Sequence, residues 1–131
     1  MKQLTFLLID DDQDDHFIFA NALNLAFPES ICSYAFNCPE AVDLLNGRAI
    51  AVPDFIFMDW SMPYMDAIDC IKALKRIPDV AETPMYILSG SKPSFEIEHV
   101  VGLHIKKVLR KQDSIEQLAN EIQQAIGVID K

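Results

Sequence analysis

The sequence predicts an α/β protein in which five parallel strands form one sheet with helices on both faces. Three observations predict it. Short apolar runs alternate with amphipathic stretches of helical period five times along the chain. The runs Phe6 to Ile9 and Phe55 to Met58 are apolar at every position, as in strands covered on both faces. The connections are short, with no linker, low-complexity run or repeat, so right-handed crossovers lay the strands side by side.

Leu4–Ile9 reads as the first strand, ending in Asp10-Asp11-Asp12-Gln13-Asp14-Asp15. Phe17, Ile18, Ala20, Ala22, Leu23, Leu25, Ala26 and Phe27 form the wide apolar stripe of a helix that stops near Pro28. Ile31–Phe36 is a second strand. Asn37 or Cys38 then caps a helix with Pro39 in its first turn, Ala41, Val42, Leu44 and Leu45 inward, and Gly47 at its end. Phe55–Met58 is the third strand, with Asp59 emerging at its carboxyl end. Ala67–Ile77 is an amphipathic helix stopped by Pro78, and Met85–Ser89 the fourth strand. Residues 93–101 suit a short helix. Ile105–Arg110 is a polar strand suited to a sheet edge, and Asp113 with Glu116 suggests a capping box for a last helix running to about Ile126.

The 131 residues suffice for a single domain, 1–131, with a core of its own. Half of them are apolar and 24% charged, an ordinary globular composition. A formal charge of -9 argues against nucleic acid or an anionic membrane as partner and favours a cation. The first apolar run is too short for a signal segment or membrane span, which places the protein in the cytoplasm. Cys32, Cys38 and Cys70 are odd in number and lack metal-site spacing, so they read as free, partly buried thiols.

If the strands run parallel, their carboxyl ends carry Asp10 and Asp11, Phe36, Asp59, Ser89 and Lys111. That edge is where ligands and chemistry collect in open α/β sheets. Five acids in the six residues from Asp10 to Asp15 repel one another, and a bound cation is the simplest compensation. Asp12, Asp14 and Asp15 are explained by the helix N-terminus that follows; Asp10 and Asp11 are not. A calcium loop is rejected, because Asp15 stands where that loop needs Gly and Asn21 where it needs Glu. The set suits phosphoryl transfer: carboxylates and a backbone carbonyl for Mg2+, one carboxylate to attack, a hydroxyl and an ammonium for the phosphoryl oxygens.

These residues resemble the receiver domain of response regulators, the family of the chemotaxis regulator CheY, over essentially the whole chain. LLIDDD resembles its acidic-pair strand, FIFMDWSMPYMDA its phosphoacceptor segment, MYILSG its Ser/Thr strand and VLRK its lysine strand. The resemblance implies a flavodoxin-like fold with strand order 2-1-3-4-5. It implies that Asp59 accepts phosphate from a kinase phosphohistidine, that Asp11 ligates Mg2+ directly and Asp10 through water, and that the Ser61 carbonyl adds a ligand. Ser89 and Lys111 would contact the phosphoryl group. The partners implied are a sensor histidine kinase or a histidine phosphotransfer protein, then a downstream protein; homodimers occur among receivers. The only chemistry implied is the domain's own phosphorylation and dephosphorylation, so it is not otherwise an enzyme.

Three positions depart from the family: Gln112 stands where Pro is usual, Ala67 where Gly is common, and Val108 where many members carry Tyr or Phe. The expected protein is a stand-alone receiver, a phosphorylatable module without an output domain; the rival is a pseudo-receiver that only binds partners, against which the complete acid, hydroxyl and lysine set speaks. A phosphatase would want a second acid at Ser61. His16, His99 and His104 lack metal-ligand spacing and read as surface residues. Trp60 is read equally as packing beside the acidic loop and as a reporter of metal binding. Met58, Met62 and Met65 read as core and loop packing.

Overall fold

The computed structural model describes residues 3–61, 66–90, 105–111 and 114–127. Its strands are β1 (Thr5–Ile9), β2 (Ile31–Ala35), β3 (Phe55–Asp59), β4 (Met85–Ser89) and β5 (Lys107–Arg110). The helices are α1 (Gln13–Ala26), α2 (Cys38–Asn46), α3 (Ala67–Lys75) and α4 (Ile115–Ile126). The strands pair in parallel throughout, in the order β2-β1-β3-β4-β5. The expected helix over residues 93–101 lies outside the described residues, as do His99, His104, Met62, Met65 and Gln112.

Because side chains alternate across a strand, the apolar runs divide between two cores. Leu7, Ile9, Ile56, Met58, Met85 and Ile87 pack with α2 and α3 on one face. Phe6, Leu8, Phe57, Tyr86, Leu88 and Leu109 pack with α1 and α4 on the other. On that second face Phe57 stacks on Tyr86 at 4.8 Å and tilts against Phe19 at 5.1 Å. Both cores are needed to exclude water from the three inner strands, which explains their lack of polar alternation.

The helix starts follow side-chain capping. Asp12 Oδ1 accepts from the Asp14 amide at 2.8 Å, so α1 begins at Gln13, a turn before the first residue of its apolar stripe. Asn37 Oδ1 accepts from the Glu40 amide at 2.8 Å, while Glu40 Oε1 accepts from the Phe36 amide at 2.7 Å. That second bond takes Phe36 out of β2. Asp66 Oδ1 caps α3 through the Asp69 amide at 2.9 Å.

Several boundaries correct the sequence reading. Leu4 precedes β1, where Thr5 N instead meets Asp54 Oδ2 at 2.9 Å. The α3 helix ends at Lys75, whose Nζ donates to the Ala81 carbonyl at 3.1 Å and ties down the short 3-10 turn Pro78–Val80. The last helix is capped by Ser114, whose Oγ accepts from Gln117 N at 3.3 Å; Asp113, the cap expected from the sequence, lies outside the described residues. That hydroxyl sits directly before Ile115, the first residue α4 packs against the core.

Cys38 and Cys70 are not free: they form a disulfide, with Cα atoms 5.8 Å apart, across 32 residues of sequence. The α2 and α3 helices pack side by side on one face and bring two buried thiols together. Spacing along the chain carries no trace of that. Cys32 is free, half-buried on β2, and burial pushes its thiol up to about 12.

Candidate phosphoryl-transfer site

Parallel pairing aligns the carboxyl ends of β1, β3 and β4, with Ile9 opposite Met58 and Asp59 opposite Leu88. Asp10 follows β1 directly, and Asp59 closes β3. Carboxylate oxygens of Asp10, Asp11 and Asp59 come within 4.8 Å of one another. Asp10 is fully buried, Asp59 is 5% exposed and Asp11 faces solvent. The Cβ of a larger residue at Gly90, just after β4, would meet none of the described residues within 4 Å.

Backbone bonds hold this edge. The Asp10 amide donates to Ala35 O at 3.0 Å, and Asp10 Oδ1 accepts from the Asp12 amide at 3.0 Å. The Trp60 amide donates to Leu88 O at 3.0 Å, and Ser61 N donates to Asp59 Oδ1 at 3.3 Å. Lys111 N donates to Ser89 O at 2.8 Å, which aims the lysine stem back over the strand ends.

One ammonium serves three carboxylates. Lys111 Nζ lies 2.7 Å from Asp15 Oδ2, 3.2 Å from Asp59 Oδ1 and 3.4 Å from Asp10 Oδ2. Asp10 Oδ2 is buried yet accepts no hydrogen bond from the described residues, so among them the ion-pair distance to Lys111 is its only compensation. An oxygen left in this condition is strongly disfavoured. It is what a hard cation shared with Asp11 and Asp59 would satisfy, since Mg2+ takes oxygen ligands and few of them from protein. The residues present therefore fit the ion.

The electrostatics agree. Burial, helped by the Asp59 and Asp15 charges, lifts Asp10 to about 7 against the pull of the Asp12 amide and Lys111. Burial also raises Asp59, opposed by Lys111 and the Ser61 amide. Burial would lower Lys111, but the Asp15 hydrogen bond and the charges of Asp10 and Asp59 outweigh it and hold the ammonium above its ordinary value.

A pH dependence follows. With folded values of Asp10 and Asp59 above the ordinary 3.8, the native state holds more protons than the unfolded chain between that pH and about 7. Stability contributed by Asp10 is complete below the lower limit and lost as pH rises through about 7, and Asp59, raised by its own burial, adds a loss of the same sign. Lys111 stays charged throughout this window. In EDTA the melting temperature is expected to fall by several degrees from pH 5 to pH 8, at roughly 3 °C per kcal/mol. Mg2+ should reduce that fall. Scanning calorimetry checks it; a rise over the same interval in EDTA contradicts the assignment.

Of the residues singled out in the sequence, Asp10, Asp11, Asp59 and Lys111 meet here. Ser89 is buried at the neighbouring strand end, and Ser61 is anchored through its amide. Phe36, just after β2, is an exposed ring. Trp60 is half-buried against the α2/α3 core, directly after Asp59, and Val108 packs on the same core. Met58 lies in that core.

Two further residues belong to this edge that the sequence does not reveal. His16 is not a surface residue: it is 8% exposed, between Tyr34 (5.0 Å) and Phe36 (4.6 Å). Its Nε2 donates to the Asp10 carbonyl at 2.6 Å, which fixes the tautomer because a carbonyl only accepts. Helical position is the available signal, since His16 shares a face with Phe19 and Leu23. Asp15, which the sequence assigns to the helix N-terminus, instead turns to Lys111, 96 residues away; no local pattern announces such a pair.

Known proteins share this arrangement of strands. The family model described as response regulator receiver domain matches residues 6–123. The phosphate regulon transcriptional regulatory protein PhoB of Pseudomonas aeruginosa is 28% identical over 89 residues, 66% of this chain. The match spans only 35% of that relative's length. The phosphorylated cyanobacterial phytochrome response regulator RcpA superposes with a TM-score of 0.79 and 22% identity, over 92% of this chain and 89% of its own. The Mn(2+)-bound response regulator Rcp1 does so at 0.76 and 19%, over 92% and 90%. At these identities the structures speak for the fold alone.

Proposed function

The chain belongs to the response regulator receiver domain family, and from that premise we propose that Asp59 is the acceptor of a phosphoryl group delivered by a phosphohistidine. The observation that carries the reading is the meeting of Asp10, Asp11 and Asp59 within 4.8 Å, with Lys111 Nζ 3.2 Å from the acceptor. An Asp59 oxygen attacks phosphorus, the P–N bond to the donor imidazole breaks, and the histidine leaves with its electron pair. Lys111 neutralises charge that develops on the phosphoryl oxygens, and the Ser89 hydroxyl donates to another of them. Asp10, Asp11, Asp59 and the Ser61 carbonyl would hold Mg2+, which when bound draws charge from the phosphoryl oxygens. A divalent ion here is in keeping with Rcp1, described as bound to Mn(2+), and the acceptor role with RcpA, described as phosphorylated.

On this reading the protein turns over only its own phosphate. Its donor is a sensor histidine kinase or a histidine phosphotransfer protein, and its output is a changed surface for a protein partner. A cytoplasmic place fits such donors; among the described residues no helix is long and apolar enough to cross a membrane. Incubation with Mg2+ and acetyl phosphate, followed by intact mass, tests the reading. One phosphoryl increment is expected, dependent on Mg2+. No increment under any condition would leave the pseudo-receiver.

Mg2+ binding itself should be visible through Trp60, next to Asp59. Asp11→Asn removes one carboxylate ligand and is expected to weaken the ion about tenfold or more, a loss of roughly 1.4 kcal/mol. Unchanged affinity in the fluorescence titration removes Asp11 from the site.

A further inference from the structure

Lys111 poses a problem for any cation that enters this site. Its ammonium already occupies Asp10 and Asp59, at 3.4 and 3.2 Å, two of the three carboxylates that can share an ion. A divalent cation brought there must displace it or be repelled by it. Its shortest contact, however, is with neither of them. Asp15 Oδ2 takes the ammonium at 2.7 Å, as a charge-assisted hydrogen bond, and Asp15 is not part of the group that can share an ion. Asp15 stands on the third residue of α1, whose start is set by the Asp12 cap, so its position is rigid relative to the strand end. Lys111 and Asp15 side chains are equally exposed, at 27%, against 0% for Asp10 and 7% for Asp59. The Asp15 end of the pair is thus the wetter one, where a lone ammonium is least disfavoured.

We propose that Asp15 is a positioning residue, a parking site that keeps Lys111 when Mg2+ takes Asp10 and Asp59 from it. This deepens the phosphoacceptor reading and rests on it. Without Asp15 the ammonium has, among the described residues, only the metal carboxylates to pair with, and it competes with the ion for both. With Asp15 it gives up its two longer contacts and keeps its shortest, then stands within reach of a phosphoryl group on Asp59.

A double-mutant cycle on Mg2+ affinity, read by calorimetry with Mg2+ alone as titrant, separates this from a plain charge effect. Asp15→Asn should weaken Mg2+ binding roughly three- to tenfold in the otherwise unaltered protein, within the lower part of the range of couplings between residues in contact. In a Lys111→Met background the same substitution should change affinity by less than about twofold, since only a screened through-space charge is then lost. Equal effects in both backgrounds, or none in the first, overturn the parking site while leaving the phosphoacceptor reading intact. Absence of Mg2+ binding by the unaltered protein overturns that reading, and the parking site with it. If Lys111→Met does not fold, the ammonium signal of Lys111 in 15N NMR decides instead. In the Mg2+-loaded protein it should persist as a held ammonium, and Asp15→Asn should abolish it; identical signals in the two proteins overturn the proposal.

Discussion

Asp59→Asn is expected to abolish the mass increment that acetyl phosphate and Mg2+ produce. The amide oxygen of Asn carries no charge and is a poor nucleophile, so the P–O bond does not form. Neighbouring carboxylates do not substitute for it. Asp10 is fully buried and raised to about 7 by that burial, with one oxygen committed to the Asp12 amide. Asp11 is exposed and outside the reach that Lys111 has for Asp59. Misfolding is not an alternative explanation, because the substitution removes a buried charge whose value burial raises, and Lys111 retains Asp10 and Asp15. The metal-free variant should therefore melt no lower than the parent. An increment that persists in the variant, or that peptide mapping assigns to Asp10 or Asp11 in the parent, refutes Asp59 as acceptor.

Phe57→Ala is expected to destabilise the fold by about 3–5 kcal/mol, the range for deleting a buried aromatic ring. Phe57 is wholly buried in the middle of β3 and touches Phe6, Phe19 and Tyr86, which come from two strands and α1. Its removal leaves a space that these rings cannot close without leaving their own contacts. Against a total stability of order 5–15 kcal/mol, the melting temperature should drop by roughly 9–15 °C. The site should suffer too, since Phe57 lies two residues before Asp59 on the same strand. Calorimetry with urea unfolding as a second measure checks it, and a loss below about 1 kcal/mol would mean the α1 face repacks freely.

The sequence by itself determined the layers, the strand order implied by its family, and the meeting of Asp10, Asp11, Asp59 and Lys111. It could do so because a strand's apolar run and its final acid are neighbours in the chain, and parallel pairing then brings all strand ends to one edge. Some boundaries moved by a residue or two where a side-chain bond, such as Glu40 to Phe36 or Ser114 to Gln117, competed with the pattern. Only the tertiary structure decided three other matters: that Cys38 meets Cys70, that His16 is buried beneath Phe36, and that Lys111 leans on Asp15. Each depends on the direction of a side chain from one element toward another far along the chain. A period of 2 or 3.6 residues says which face a side chain is on, but not which residue of a distant element stands opposite it.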